Sequence, residues 1–348
     1  MESQQRKTDK TIAIAKGLCI IFVVLGHCMP IGTASNTMYQ FHVALFFFVS
    51  GYFFSQKKVE EPMKFIKKRI KGLYIPYLKY ALFFLLIHNF LVSLHVLPDY
   101  YDMRAWLYRL YLITTHFSGH DAMLGGFGFI KELFMVSILY LILRRYVVKS
   151  ISTILPSMFV VLFGAMIMGA YKIEIPCLQI SQQTLLGIIL FGLGELAHAK
   201  NVKEMYSVGV ACSIVPLMLF SAYLGRYYFM ITGTSILIFI FLALSGIYVC
   251  LSFSNKIQFG GGKISKFLCY VGQNTMAILG WHFLSFKFVS YIYLQIKGYP
   301  IERLVEFPGL NDCYTFLWPF HAMAGIMIPL FLAWGYGRYI KNRILRKE

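Results

Sequence analysis

Long apolar runs recur along almost the whole chain and predict membrane-spanning helices. A helix needs about 20 mostly apolar residues to cross the hydrocarbon core of a bilayer, and ten runs approach that length. We therefore predict an all-α polytopic membrane protein with about ten transmembrane helices. In residue numbers, the predicted spans are 12–29, 39–55, 74–94, 126–144, 152–171, 183–199, 205–222, 229–253, 271–296 and 314–337.

The composition supports a membrane location. Of the 348 residues, 58% are hydrophobic and only 14% are charged, and the mean hydropathy is +0.64. A soluble protein of this length needs more polar surface.

No small-residue cleavage site follows the first apolar run, so we interpret it as a retained span rather than a secretory signal. We predict one integral membrane domain over residues 1–348. None of the seven cysteines forms a C-x-x-C pair, and we predict no metal site.

The basic residues predict the orientation. With the N-terminus inside, 23 of the 33 Lys and Arg residues fall in cytoplasmic segments and six fall outside. This asymmetry follows the positive-inside rule and favours an even number of spans with both termini cytoplasmic. Topology then explains most of the net charge of +18, and nucleic acid is not an expected partner. Residues 57–71 are more basic than orientation requires, which is typical of a site for a polyanion or for anionic lipid headgroups.

The first predicted span carries two ionisable side chains on one face. Lys16 and His27 are eleven residues apart, which is about three helical turns and about 16 Å along the axis. An intramembrane histidine is costly unless it serves a site or finds partners, so His27 is a candidate functional residue. A lysine near a helix end commonly extends to the interface, so Lys16 fits either a site or an anchor.

Other polar side chains interrupt later spans. His42 opens the second span and is either a site residue or a hydrogen-bonded interface residue. His282 lies in the ninth span and is either a site residue or a bridge between helices. Glu132 follows a lysine in the fourth span and is either a site residue or part of an internal ion pair. Three further histidines near the outer end of the third span are expected to be ordinary solvated residues: His88, His116 and His120.

Four motifs, taken in order, resemble the acyltransferase-3 family of integral membrane acyltransferases, especially the members related to fucose O-acetylases. The family's first span holds a basic residue, ten intervening residues and a histidine. Residues 41–51, FHVALFFFVSG, resemble its FH-x-P-x-FFF-x-SG pattern without the proline. Residues 69–77, RIKGLYIPY, resemble R-x-x-R before L-x-x-P-Y, with glycine at the second arginine. The positions that match the first motif and the late G-x-N-S/T…H pattern are Lys16, His27, Gly272, Asn274, Thr275 and His282.

The resemblance implies transfer of an acyl group, usually acetyl from acetyl-CoA, to a hydroxyl of a cell-surface or lipid-linked sugar. It places the protein in the cytoplasmic (inner) membrane of a bacterium, among membrane lipids, with no permanently bound cofactor. It implies that His27 acts as general base or accepts the acyl group, and that the remaining catalytic candidates are His42, Glu132 and His282. The residues expected to bind acyl-CoA are Lys16, Lys67, Lys68, Arg69 and Lys71. Whether the protein forms a homo-oligomer is left open.

Some relatives carry an extracytoplasmic SGNH-type hydrolase domain after the spans. This chain ends eleven residues after the last predicted span, and we expect no such domain to be appended. The acceptor sugar and the length of the acyl chain are not determined by the sequence.

Two other function classes remain open. A transporter or flippase for a glycan precursor would also place charged residues inside the membrane, although no internal repeat is visible. A non-catalytic membrane scaffold of the same fold is the other alternative. It is kept open by Ala13 and Gly72, which replace a frequent aspartate and the second arginine of the family pattern.

The charge distribution predicts the topology directly. A cysteine introduced in the segment 57–71 should be protected from a membrane-impermeant thiol reagent in intact cells, and one introduced at Arg104 should be labelled. A C-terminal reporter that is active only in the cytoplasm should be active. A C-terminus found outside would contradict the predicted even number of spans.

Overall fold

The computed structural model describes residues 9–175, 180–225 and 235–341. The start of the predicted eighth span, 229–234, and the termini 1–8 and 342–348 lie outside the described residues. Within these ranges the α-helices, in chain order, are α1 (Lys10–Cys28), α2 (Thr33–Tyr39), α3 (Ala44–Tyr52), α4 (Gln56–Glu60), α5 (Pro62–Arg69), α6 (Ile75–Ser93), α7 (Met103–Tyr111), α8 (Gly128–Tyr146), α9 (Ile154–Tyr171), α10 (Gln182–Ala199), α11 (Val208–Tyr223), α12 (Ser235–Gly260), α13 (Gly262–Gln273), α14 (Thr275–Lys297) and α15 (Tyr314–Gly335).

Short helical turns of other kinds connect these helices. No strand occurs in the described part of the chain, where Ile175 and Ile180 form an isolated β-bridge. Three π-helical stretches cover Ile70–Tyr74, Leu112–His116 and Tyr336–Lys341. The 3₁₀ turns are Ala122–Phe127, Ile151–Thr153, Val202–Met205, Ile301–Val305 and Asn311–Cys313.

Seven helical segments among the described residues are long and apolar enough to cross a membrane: Lys10–Cys28, Pro62–Ser93, Ala122–Tyr146, Ile151–Tyr171, Ser235–Gly260, Thr275–Lys297 and Thr315–Arg338. A multi-pass all-α membrane protein is thereby confirmed. Helix α11 is apolar but has only 16 residues, and α10 carries a buried glutamate and two glutamines that lower its hydropathy. The count of ten spans and the orientation stay predictions.

The second predicted span, 39–55, differs in the structure. It is a short α3 of nine residues, preceded by a turn and by the seven-residue α2. Nine residues cover only about 14 Å at 1.5 Å per residue, well short of a bilayer core. The chain breaks where buried polar side chains cluster, at Ser35, Asn36, Gln40 and His42. The apolar run is continuous in the sequence, so the sequence pattern did not reveal the break.

Helix α6 begins at Ile75 with Pro76 in its first turn, which agrees with the start of the predicted span 74–94, but a helical segment also precedes it. The helical segment runs without interruption from Pro62 to Ser93, and the basic residues assigned to a loop lie mostly on α4 and α5. The π-helical stretch Ile70–Tyr74 directly precedes the proline. A proline has no N–H and its ring clashes with the carbonyl one turn earlier, so a local π-turn accommodates it inside a continuous helix.

The chain divides into two compact units. Unit 1 comprises Met1–Val23, Gly32–Phe54 and Ser150–Thr275, and unit 2 comprises Val24–Ile31, Ser55–Lys149 and Met276–Glu348. In unit 1 the carboxylate of Asp9 caps α1, because its Oδ1 accepts a 3.0 Å hydrogen bond from the Thr11 N–H. Asp9 also pairs with Lys203 at 3.1 Å, which ties the start of α1 to the turn after α10.

Glycines bring two helix backbones of unit 1 into contact. A Cβ at Gly194 of α10 would lie 2.8 Å from the backbone nitrogen of Tyr52 of α3, and a Cβ at Gly51 would overlap the carbonyl of Phe191. Small residues permit this close approach, which is typical of membrane helix interfaces. The phenylalanines of the FFF run are all buried, so they belong to the core of unit 1.

In unit 2, α14 is packed on several sides. Gly280 faces the ring of Tyr80, and Gly325 of α15 faces the ring of Phe286, so that in both places an added Cβ would clash. The ring of Trp281 meets that of Tyr80 at 6.0 Å. Helix α14 is therefore held between α6 and α15, and its inward side chains are shielded from lipid.

The glycine contact between α3 and α10 predicts a specific loss of stability. Gly194→Ala should lower the free energy of unfolding by about 1–3 kcal/mol, because the added methyl must displace backbone. The matched control is Gly128→Ala in α8, where nothing lies near the added Cβ and alanine costs nothing in a helix. Thermal unfolding of both purified variants checks this; equal melting temperatures would contradict the packing described.

Candidate functional site

The candidate site of unit 2 is built on α14. Its side chains at every fourth position, His282, Phe286 and Ser290, fall on one side of the helix and are all buried. His282 is completely buried. An apolar helix with a histidine at its centre is rare unless the histidine has a role.

The rings of His27 and His282 lie against each other. His27 stands in the last turn of α1, is half-buried, and its ring centroid is 5.4 Å from that of His282 at an interplanar angle of 29°. The ring of Phe283 packs 4.9 Å from His27 and forms an apolar wall. The structure therefore joins two of the predicted catalytic residues, although they are separated by most of the sequence.

The hydrogen bonds of His282 define its tautomer. Its Nδ1 lies 3.1 Å from the carbonyl oxygen of Ile278 and 3.0 Å from that of Leu279. Carbonyl oxygens only accept, so Nδ1 carries the hydrogen and Nε2 holds a lone pair in the neutral ring. That Nε2 is buried and has no hydrogen-bond partner among the described residues. An unsatisfied buried polar atom costs about 1–3 kcal/mol, so its presence in a folded protein calls for a specific explanation.

The turn before α8 covers this pair. A Cβ at Gly126 would lie 3.7 Å from Cε1 of His282, and one at Gly125 would lie 3.5 Å from the ring of Phe283. Asp121 fixes the start of this turn, since its Oδ1 accepts a 2.9 Å hydrogen bond from the Met123 N–H. The backbone of this turn therefore passes close to the edge of the buried His282 ring.

His88 is not the solvated histidine that was expected. It is buried, and its Nδ1 donates a 2.5 Å hydrogen bond to Oδ2 of Asp121. Its Nε2 lies 2.7 Å from the carbonyl oxygen of Asp99, and its ring stacks on Tyr101 at 3.4 Å. Both ring nitrogens are thus engaged in short polar contacts, which hold His88 and Asp121 together in the interior of unit 2. The pair secures the segment that leads into the turn over His282.

His120 is also withdrawn from solvent. It is half-buried, and its Nδ1 has no partner within the described ranges. Burial lowers the pKa of His120, the charges of Lys131 and Arg109 lower it further, and Asp121 opposes them. His120 is therefore neutral at pH 7. Its neighbour Asp121 fixes the start of the turn Ala122–Phe127. His116 is half-buried and its Nδ1 pairs with Oγ1 of Thr115 at 2.7 Å.

The other predicted catalytic residues take different positions. His42 belongs to unit 1, where it is buried in the turn before α3 and its Nδ1 donates a 2.6 Å hydrogen bond to the carbonyl of Met38. This contact fits its interpretation as a hydrogen-bonded residue. Glu132 belongs to unit 2 and is half-buried on the second turn of α8. Their catalytic roles stay predictions.

The predicted donor-binding residues are mostly exposed. Lys67, Lys68 and Lys71 are open to solvent. Arg69 is half-buried, and its guanidinium lies 4.9 Å from the centre of the Phe65 ring. Lys16 is half-buried on α1 in unit 1. The three lysines form a basic surface of unit 2, whereas Arg69 partly packs on the helix itself.

Sequence reasoning overlooked two buried polar groups of unit 2. Lys287 is 2% exposed, five residues after His282 on α14. Ser290 and His321 are buried together, with Oγ 3.2 Å from Nε2. The signal for Lys287 was present, because a lysine inside an apolar span is a candidate functional residue by default. The serine and histidine pair has no local signal, since 31 residues separate its members.

The comparisons with known proteins identify the family of the chain. No curated protein and no solved structure matches the chain significantly. A family model for acyltransferase type 3, described as an acyltransferase domain, matches residues 9–338, which include every candidate residue named above. The chain therefore belongs to the acyltransferase-3 family and is a membrane acyltransferase.

Proposed function

We propose that this protein is an O-acyltransferase that moves an acyl group, in the simplest case acetyl, from acyl-CoA to a hydroxyl of a cell-surface or lipid-linked sugar. The observation that carries the proposal is the contact of His27 with His282, whose buried Nε2 has a lone pair and no partner among the described residues. A buried acceptor of this kind suits a hydroxyl ligand. Bacterial inner-membrane residence is part of the proposal.

In the proposed reaction, His27 acts as the general base. It takes the proton from the acceptor hydroxyl as the oxygen attacks the carbonyl carbon of the thioester. The carbon–sulfur bond breaks, and the leaving thiolate takes the proton from His27, so that free thiol and ester are formed. Histidine suits this role because its unperturbed pKa lies near neutral pH.

His282 acts as a positioning residue in this proposal. Its Nε2 accepts a hydrogen bond from a second hydroxyl of the acceptor, while its Nδ1 is held by the backbone carbonyls of α14. Neighbouring hydroxyls are a feature of sugars, and two contacts orient the reacting oxygen better than one. This arrangement favours a sugar over a simple alcohol as the acceptor.

The donor is proposed to bind through the exposed lysines of unit 2. Phosphates form charge-assisted hydrogen bonds with lysine, and Lys67, Lys68 and Lys71 are open to solvent. Lys16 lies on α1 in unit 1, and its role in donor binding stays a prediction.

The first prediction separates the roles of the two histidines. With purified protein, acetyl-CoA and acceptor, His27→Ala should lower kcat by about 10²–10⁴-fold, the usual loss of a general base. His282→Phe keeps a ring but loses the lone pair, and should cost about tenfold with a higher KM for the acceptor, as expected for one hydrogen bond. The rate at which free thiol is released measures the activity of both variants.

The control for this prediction is His116→Ala, which should leave kcat unchanged. If His27→Ala retained more than about a tenth of the wild-type kcat, the general base would have to be another residue. A larger loss for His282→Phe than for His27→Ala would reverse the two roles.

The second prediction concerns the basic surface. Replacing Lys67, Lys68 and Lys71 together by glutamine should weaken acetyl-CoA binding and reduce its dependence on salt, since charge-assisted contacts to phosphate are lost. The matched control is Lys263→Gln with Lys266→Gln, two exposed lysines of α13. Equal donor affinity in the triple variant and the wild type would show that these lysines do not bind the donor.

A further inference from the structure

An apolar cavity of about 490 Å³ lies in unit 2 at the end of α6. Its walls come from that helix end, from α14 and from the turn Ile301–Val305, and they are mainly aliphatic and aromatic. The wall residues used below are Leu91, Ser93, Leu284, Phe288 and Leu304. At about 30 Å³ for each water-sized unit, the cavity holds roughly 16 such units. This volume accommodates a stretch of one hydrocarbon chain.

The single lysine of the cavity is Lys287, which is 2% exposed. Its Nζ donates hydrogen bonds of 2.7 Å and 2.6 Å to the backbone carbonyl oxygens of Leu304 and Glu306. An ammonium has three donors, so one remains. Lys287 thereby fixes the turn that closes one side of the cavity and still presents positive charge at its edge.

No carboxylate of the described residues forms an ion pair with Lys287. The nearest candidate is Glu306, but its Oε1 accepts a 2.8 Å hydrogen bond from Arg303. Its other oxygen accepts a 2.7 Å bond from the Asn311 N–H. A buried charge is retained in a membrane protein when it serves a ligand or a pathway. An apolar chamber with a cation at its edge complements an amphiphile with an anionic head.

The lysine is also close to the histidine pair. The Nζ of Lys287 lies 5.7 Å from the centre of the Phe307 ring, which is 4.8 Å from the ring of Phe283. Phe283 in turn contacts His27. Two aromatic rings thus separate the ammonium from the proposed base, and Lys287 lies about 7.5 Å beyond His282 along α14. Lys287 and the histidine pair are therefore linked by a short chain of ring contacts within unit 2.

We propose that Lys287 and this cavity bind a sugar carried on a polyprenyl phosphate, with the phosphate on Lys287 and the isoprenoid chain in the cavity. The inference rests on the proposed function for the role of that sugar as acyl acceptor. The size of the cavity favours one hydrocarbon chain, whereas a bilayer phospholipid brings two. The lysine then selects a charged lipid over an uncharged one.

The test measures lipid binding to the purified full-length protein in detergent. The probes are a polyprenyl phosphate, the prenol of the same length, phosphatidylglycerol and inorganic phosphate. The wild type should bind the polyprenyl phosphate at least tenfold more tightly than the prenol. Lys287→Met should remove this preference, and the control Lys297→Met, an exposed lysine at the end of α14, should retain it.

Lys287→Met leaves two backbone carbonyls without a donor. A second variant therefore tests the cavity with Lys287 in place. Ser93→Phe fills the cavity from α6 without touching Lys287, and should weaken the polyprenyl phosphate and the prenol alike by at least tenfold. Three results would overturn the inference: equal binding of the phosphate and the prenol by the wild type, equally tight binding of phosphatidylglycerol, or full competition by inorganic phosphate.

The result also separates the inference from the proposed function. If acyl transfer proceeds but polyprenyl phosphate does not bind, this inference fails and the proposed function stands. If polyprenyl phosphate binds as described but the protein transfers no acyl group to any acceptor, the proposed function fails, and the acceptor role of the bound sugar fails with it.

Discussion

Hydrocarbon offers no hydrogen bonds, so a polar atom in a membrane-embedded helix must find its partner inside the protein or in a ligand. The buried polar groups of unit 2 largely meet this constraint. His88 pairs with Asp121, Ser290 with His321, and Lys287 with two backbone carbonyls. These contacts hold the turns around α14 in place, and they make the exceptions informative.

The main exception is Nε2 of His282. The backbone of α14 takes the hydrogen of Nδ1, which leaves a buried lone pair on Nε2 in the ring that stacks on His27. Filling the site with apolar side chains would have avoided the cost of an unsatisfied buried atom. In the proposed function, a hydroxyl of the acceptor supplies the missing hydrogen to this histidine. A sugar hydroxyl has the required chemistry, and the family of the chain supplies the acyl transfer.

Much of this could be predicted from the sequence, because membrane helices leave a strong local signal. The apolar runs located most of the helices, and the isolated histidines in two of them marked His27 and His282. The break between α2 and α3 was missed because it depends on polar residues that are buried only in the folded protein. The continuity of α6 with α5 was missed because the π-helical stretch that joins them, Ile70–Tyr74, has no sequence signature here. His88 was misjudged because Asp121, 33 residues away, becomes its partner only through folding.

The cavity beside Lys287 shows the same limit. Its walls come from α6, α14 and a later turn, and no sequence pattern links them. The sequence does show Lys287 within an apolar span. Because burying a charge in a membrane is costly, this lysine was as strong a candidate functional residue as the histidines.

The most direct measurement for the account follows the acyl group itself. Membranes that contain the protein are incubated with acetyl-CoA labelled in the acetyl group, next to membranes with the His27→Ala variant at equal abundance. The account predicts that label enters an alkali-labile ester of a glycan or glycolipid only with the wild-type protein. Label that stays entirely in acetyl-CoA, while a glycan precursor crosses the membrane in a protein-dependent manner, would contradict it and identify a transporter.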